Sequence, residues 1–350
     1  MITVLESLNT ALHDVMVKDE RVYIMGEDIL DPYGGAFKVT SGLSSIFPER
    51  LITTTISEAG LVGIAAGMAL RGLRPVVEIM FGDFFTLIAD QLINHIAKFR
   101  WMYNDQVNVP IVIRAPMGGR RGYGPTHSQS LEKLYLGIPG LRILSPCTLG
   151  DPGKLLTQAI LDDENPVLYI ENKLLYLLKL RSEGSLRDFD IRYEFRSKSD
   201  KSPILPLNYA PTYSLKVTDA PPPKLTIVAY GYMAELALEA SLRLAYEEEI
   251  FTEVVIPTQL APFLMKPIID SVHKTQRLVV VEEGSRTLGW GTEILARAAE
   301  ALGNKIDYAN RVAGLDIPVP ASGQLEDMVL PDVQDIITAV RTPCRQVIYL

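Results

Sequence analysis

Apolar positions along the first 180 residues change period repeatedly. Val4, Leu5, Leu8, Leu12 and Val15 fall at helical spacing, which predicts an amphipathic helix over residues 3–18. Val22-Tyr23-Ile24-Met25 is a short apolar run closed by Gly26, the pattern of a buried strand. Further strands are predicted at Leu51–Ile56, Pro75–Met80, Pro110–Arg114, Leu141–Leu144 and Val167–Ile170. Between them, helices open at Ser57-Glu58, run from about Asp83 to Met102, and cover Asp151–Leu161. Strands alternating with helices predict an α/β fold with a parallel sheet covered on both faces, a doubly wound domain.

The alternation breaks at residues 181–224. Charge clusters and Pro203, Pro206, Pro211 and Pro221-Pro222-Pro223 predict an interdomain linker there. It then resumes with strands at Leu225–Ala229, Thr252–Ile256 and Leu278–Val281, and helices at Met233–Glu248, Gly291–Leu302 and Val333–Val340. The expected organisation is a first doubly wound domain over 1–180, a linker over 181–224 and a second over 225–350. A chain of 350 residues can bury two cores.

Composition narrows the possibilities. With 47% hydrophobic and 22% charged residues, the chain is globular and not intrinsically disordered. The balance of 42 acidic against 34 basic residues, net −8, argues against a general nucleic-acid binder. Two cysteines, Cys147 and Cys344, make no disulfide scaffold and fit a reducing compartment. The apolar stretch Ala59–Leu70 is shorter than the roughly 20 residues of a membrane span, and the first residues carry no signal-peptide pattern. A cytoplasmic protein is expected.

Several chemistries are excluded by absence of their motifs. There is no Walker P-loop and no Gly-x-Ser-x-Gly elbow, and the four histidines, His13, His95, His127 and His273, lack zinc spacing. Gly60, Gly63 and Gly67 do not have dinucleotide-fingerprint spacing; with Ala66 they form a flat helix face on which another backbone can pack closely. Glu58 sits at a strand-to-helix junction among apolar neighbours, where open parallel sheets bind ligands. Desolvation there favours a shared proton with a ligand nitrogen, although a first-turn glutamate is also stabilised by the helix dipole. His127 lies in a Gly-, Pro- and Ser-rich loop, suited to general acid or base work or to a structural hydrogen bond. Phe81, Phe84 and Phe85 can stack on a planar ring or pack in the core.

Taken together these segments resemble one family. The stretches are Gly26-Glu27-Asp28 with Tyr33-Gly34-Gly35-Ala36-Phe37-Lys38-Val39-Thr40, Ile56-Ser57-Glu58-Ala59-Gly60, Gly72-Leu73-Arg74-Pro75-Val76-Val77-Glu78 and Ala89-Asp90-Gln91-Leu92-Ile93-Asn94. They continue with His127-Ser128-Gln129-Ser130, Ile138-Pro139-Gly140-Leu141, Asn165-Pro166-Val167, Val280-Val281-Glu282-Glu283-Gly284 and Arg311-Val312-Ala313-Gly314. In this order they resemble the β subunits of thiamine-diphosphate-dependent 2-oxo acid dehydrogenase E1 components, of the pyruvate, branched-chain and acetoin type.

The resemblance implies a transketolase-type pyrimidine-binding domain followed by a transketolase C-terminal domain. It implies an α2β2 heterotetramer in which thiamine diphosphate is shared with an α subunit. That subunit would hold Mg²⁺ and the diphosphate through a Gly-Asp-Gly motif, which this chain lacks; no metal ligand is expected here. Glu58 matches the glutamate that bonds N1′ of the aminopyrimidine, and Phe84 the aromatic position stacked on that ring. His127 matches the active-site histidine that serves substrate binding or acyl transfer. Glu27 matches a glutamate near the subunit interface, a candidate for cofactor binding and for proton communication between sites. The implied reaction is decarboxylation of a small 2-oxo acid, with the acyl group passed to a lipoyl E2 acyltransferase or an acyl carrier protein. A monovalent cation near the Asp163–Asn165 turn is compatible with the resemblance.

Three features depart from the family pattern: Ile256-Pro257-Thr258-Gln259 in place of an Asp-Leu-Arg core, the long proline-rich 181–224 stretch, and Arg120-Arg121 before the histidine loop. Two other readings stay open on sequence: the C-terminal half of a split transketolase acting on sugar phosphates, and a non-catalytic paralogue.

Overall fold

The structure, a computed structural model, describes residues 2–181, 186–195 and 209–341. Six strands belong to the first half: β1 Val22–Gly26, β2 Leu51–Thr53, β3 Arg74–Glu78, β4 Val112–Met117, β5 Arg142–Leu144 and β6 Val167–Asn172. Seven follow: β7 Phe189–Glu194, β8 Thr212–Val217, β9 Leu225–Ala229, β10 Thr252–Pro257, β11 Gln259–Ala261, β12 Arg277–Ser285 and β13 Tyr308–Gly314. They form two sheets, in the orders β11-β5-β6-β4-β3-β1-β2 and β13-β12-β9-β10-β8-β7. In the first sheet every pair is parallel except β11–β5. Strands β3, β4 and β6 are buried at every position, as expected of a sheet covered on both faces.

The opening helix, Val4–Lys18, shows how local sequence fixes an element. Thr3 caps it: its hydroxyl accepts from Glu6 N at 3.2 Å, and Glu6 Oε2 accepts from Thr3 N at 2.7 Å. Val4, Leu8, Leu12, Val15 and Met16 are buried on its inner face, each contributing about 1.5–3 kcal/mol of apolar burial. That face packs on the helix Pro152–Leu161, and Ser7 Oγ donates to Asp151, the N-cap of that second helix, at 2.6 Å.

Two expectations need correction. The stretch expected as a linker contributes strands: β8 pairs antiparallel with β10, and β7 with β8, so its described part extends the second sheet. Alternate burial of Tyr213, Leu215 and Val217 on β8 drives this. Pro203 and Pro206 of the expected linker, and Cys344, lie outside the described residues. The helix expected over Asp83–Met102 is instead a 3₁₀ turn at Gly82–Ile88, a π-helical turn at Gln91–Ile96 and an α-helix at Ala97–Met102. The buried positions Ile88, Leu92 and Ile96 recur every four residues. That spacing is close enough to an α-helical turn to read as one helix in the sequence, although the segment changes winding three times.

The two halves are joined through the sheets themselves, since β11 from the second half adds to the edge of the first sheet. Among the described residues no helix is long and apolar enough to cross a membrane.

Candidate functional site

The residues singled out from sequence gather at the carboxyl edge of the first sheet. Glu27 follows β1, Glu58 follows β2, Phe81 and Phe84 follow β3, and the loop carrying His127 follows β4. This edge is where open α/β sheets bind ligands.

The first cluster is a corner built by β1, β2 and the helix Glu58–Leu70. Glu58 is the first residue of that helix, with Ser57 as N-cap. Ser57 contributes no side-chain cap; its backbone N–H donates to Glu27 Oε1 at 3.1 Å. Glu27 thus ties the end of β1 to the start of the helix. Burial raises the Glu27 pKa above the ordinary range, and the neighbouring Glu58 charge raises it further, while the Ser57 bond opposes both. Glu58 itself is 6% exposed. Its carboxylate makes no hydrogen bond or ion pair among the described residues. A carboxylate without a protein partner keeps open acceptor capacity that a ligand's donor can fill. A protonated ring nitrogen, as an aminopyrimidine offers, is such a donor, so the donor set fits the cofactor implied by the resemblance.

The same helix leaves one face open. An added Cβ at Gly63 or Gly67 meets nothing within 4 Å, and Ile64 on that side is 58% exposed, as is Ile56 at 84% just before the helix. Among the described residues, nothing packs against this helix face at Gly63 and Gly67.

The second cluster surrounds His127. Its ring lies edge-on to Phe81 at 4.7 Å and to Phe84 at 5.3 Å, and Phe81 also meets Tyr123 at 5.9 Å. The structure therefore brings Phe84 and His127 together, whereas Phe85 turns into the core. Thr126 Oγ1 stands 2.9 Å from His127 Nδ1, which engages one ring nitrogen locally and leaves Nε2 for a reacting group.

The loop is held from several elements at once. Asp83 Oδ1 accepts from Gln129 N at 3.1 Å and Gln129 Nε2 at 2.9 Å. Glu283 on β12 accepts from Gly119 N at 2.9 Å and Asn172 Nδ2 at 2.6 Å. Glu326, on the helix Gly323–Val329, accepts from Arg120 N at 2.6 Å and Gly122 N at 3.1 Å. Gly118 has φ +96°, and a Cβ there would come within 2.6 Å of both Asn172 Nδ2 and Glu283 Oε2; only glycine lets the loop leave β4 against that pair.

Sequence reasoning missed Lys173. It follows β6, its ammonium donates to the His127 carbonyl, and it stands 5.3 Å from the ring centres of both Phe81 and Tyr123. The run of polar residues Glu171-Asn172-Lys173 at the carboxyl end of the apolar stretch Val167–Ile170 was the available signal. The basic entry expected from Arg120-Arg121 also changes. Arg120 turns away to Asp327 at 2.9 Å and to the carbonyls of Leu330 and Pro331, leaving Arg121 exposed.

The positions that depart from the family pattern sit behind the site. Gln259 accepts from Arg142, whose Nε lies 2.7 Å from Asp163 Oδ2. Tyr209 also donates to Asp163 Oδ2, at 2.9 Å, and Asn165 N and Nδ2 donate to Oδ1 at 3.0 and 3.1 Å. At this turn a guanidinium meets the carboxylate. Among the described residues no group of three His, Cys, Asp or Glu side chains is arranged to hold a metal ion.

Comparison with known proteins places these features in a family. Residues 1–178 match the transketolase pyrimidine-binding domain, and residues 216–336 the transketolase C-terminal domain. The pyruvate dehydrogenase E1 component subunit beta-1, mitochondrial, of Arabidopsis thaliana is 39% identical over 344 residues, covering 98% of this chain and 89% of the relative. The pyruvate dehydrogenase E1 component subunit beta of Rickettsia bellii is 37% identical over 348 residues, covering 98% of each chain. Among solved structures, a split-gene transketolase described as an inactive β4 tetramer aligns with a TM-score of 0.70 at 21% identity, over 97% of this chain and 98% of that one. That last likeness speaks to the fold alone.

Proposed function

The chain belongs to the family of β subunits of 2-oxo acid dehydrogenase E1 components, and from that premise we propose that it forms half of a thiamine-diphosphate site completed by an α-type subunit. The assembled enzyme decarboxylates a small 2-oxo acid and passes the acyl group to a lipoyl or carrier-protein acceptor. The observation that carries this reading is the Glu58 carboxylate beside Glu27, without a hydrogen-bond or ion-pair partner among the described residues.

Thiamine diphosphate, when bound, supplies the electron sink for decarboxylation. The chain's own residues do the rest of this half-site's work. Glu58 holds a proton against the ring nitrogen of the aminopyrimidine. Glu27, with its raised pKa, favours keeping one proton between the two carboxyls. Phe84 offers its ring for stacking, braced by Phe81. His127 presents Nε2 for proton transfer when the acyl group leaves for its acceptor. Mg²⁺ and the diphosphate are assigned to the α-type partner, and the open glycine face of the helix Glu58–Leu70 supports such a partner.

The test is Glu58→Gln in the assembled complex. It keeps the shape and removes the proton partner, so decarboxylation is expected to fall on the order of 10²-fold or more. Near-normal turnover would remove Glu58 from the reaction and favour a non-catalytic paralogue. In parallel, calorimetric titration of thiamine diphosphate with Mg²⁺ into the purified chain alone is expected to show negligible binding. Tight stoichiometric binding would end the shared-site reading.

A further inference from the structure

A lysine buried as deeply as Lys173 calls for an explanation. It is fully buried, and among the described residues no carboxylate lies within 4 Å of its ammonium. Enclosing such a charge without an ion pair costs stability. An apolar side chain of similar length would fill the space at lower cost, yet would leave one group unmet: the His127 carbonyl, to which the ammonium donates. The remaining directions of the ammonium face the rings of Phe81 and Tyr123, the two aromatics that flank the loop. The backbone of Lys173 is itself fixed, since its N–H donates to Met117 O at the end of β4 at 2.9 Å. A rigid strand end therefore carries a cation to the peptide that sets the direction of the imidazole.

We infer that Lys173 is the positioning residue for His127: it holds the histidine's peptide so that the imidazole points into the site, and thereby supports the acyl-transfer half-reaction. The inference rests on the reading of His127 given above. Charged groups reach Lys173 from every element packed around it. Asp83 on the 3₁₀ turn, Glu283 on β12 and Glu326 on the helix Gly323–Val329 favour its charge; burial, the largest influence, and Arg121 oppose it. Burial prevails and brings the ammonium down to about 8. The loop thus loses its cationic anchor as pH rises through that value.

Three variants, Lys173→Met, Lys173→Arg and His127→Ala, test this in the assembled complex, with each half-reaction assayed separately. Lys173→Met is expected to slow acyl transfer about tenfold, as a modest misplacement of a reacting group does, with dye-coupled decarboxylation within about twofold of wild type. In the purified chain, amide hydrogen exchange over residues 120–128 should quicken in Lys173→Met and recover in Lys173→Arg. Wild-type transfer should decline above pH 8, and Lys173→Arg, which keeps its charge, should flatten that decline. Wild-type transfer rates in Lys173→Met, equal losses in both half-reactions, or an unchanged alkaline decline in Lys173→Arg would each overturn the inference. Should Lys173→Met fail to fold, the Lys173→Arg profile decides alone. His127→Ala separates the two ideas. If transfer survives that change, the reading of His127 fails; if it is lost while Lys173→Met is normal, only the role of Lys173 fails.

Discussion

The Glu27–Glu58 corner and the His127 loop stand on the same edge of one sheet and are held in opposite ways. The corner is assembled from two adjacent strands and the first turn of one helix, joined by the bonds from Thr54 N–H to the Gly26 carbonyl and from Ser57 N–H to Glu27. Its central carboxylate is left bare. The loop is anchored by the 3₁₀ turn, β6, β12 and the helix Gly323–Val329, through Asp83, Lys173, Glu283 and Glu326. Two of those anchors come from the second half of the chain. The corner is thus poised for a group this chain does not contain. The loop, by contrast, is positioned by the chain's own two halves, so damage to the halves' contact should reach the histidine and spare the carboxylates.

Three substitutions sharpen this division, each read in both half-reactions of the assembled complex. His127→Ala should have the largest effect, slowing acyl transfer on the order of 10²-fold, as removal of a positioned proton-transfer group does; decarboxylation should suffer much less. Equal losses would erase the difference between loop and corner. Glu326→Ala comes next. It leaves the N–H groups of Arg120 and Gly122 without their acceptor, at about 1–3 kcal/mol of local stability. Transfer should drop roughly fivefold with decarboxylation unchanged, because the anchor lies more than one link from the cofactor side. Glu27→Gln should do the reverse. It removes the carboxyl that crowds Glu58 while keeping an acceptor for Ser57 N–H, so decarboxylation should fall about threefold and transfer should hold. A fall in transfer alone would place Glu27 with the loop.

The corner was legible in the sequence because its determinants are local. Ser57-Glu58 after an apolar run marks a strand-to-helix junction, and the observed helix begins at Glu58. The alternating elements of the first sheet were legible for the same reason. The loop's position was not. That His127 meets Phe81 and Phe84 depends on β3 and β4 being neighbours, and its anchoring by Glu283 and Glu326 spans more than 150 residues of sequence. The broken helix at Gly82–Met102 shows the same limit. A four-residue apolar spacing is close enough to helical to read as one helix, and the sequence carries no local signal for the π turn at Gln91–Ile96, which packs on the helix Glu58–Leu70. Strand β8 was hidden by Pro211 and Pro221-Pro222-Pro223 on either side, which read as a linker although its Tyr213, Leu215 and Val217 alternate in burial with Ser214 and Lys216.

The mildest prediction concerns the floor beneath the loop. Glu282, next to Glu283 on β12, is 1% exposed; Gly291 N–H donates to its Oε2 at 3.1 Å, and Arg311 stands 3.6 Å from Oε1. Burial pushes its pKa from 4.5 up to about 7, with Glu132 adding to the rise and the Gly291 bond and Arg311 opposing it. A raised folded-state value means that the folded chain binds more protons than the unfolded chain between these limits. Stability from this group is therefore complete below about 4.5 and is lost as pH climbs through 7. Glu282→Gln imitates the protonated form at every pH and keeps an acceptor for Gly291. At pH 8 the variant should be more stable than wild type by about 2 kcal/mol, seen as a higher unfolding midpoint, and the gap should narrow by pH 5.5. Both half-reactions should be unaltered, because Glu282 touches neither the loop nor the corner. A variant that is equally stable at both pH values would mean that Arg311 neutralises Glu282 in place; one that slows acyl transfer would extend the loop's support one residue further along β12.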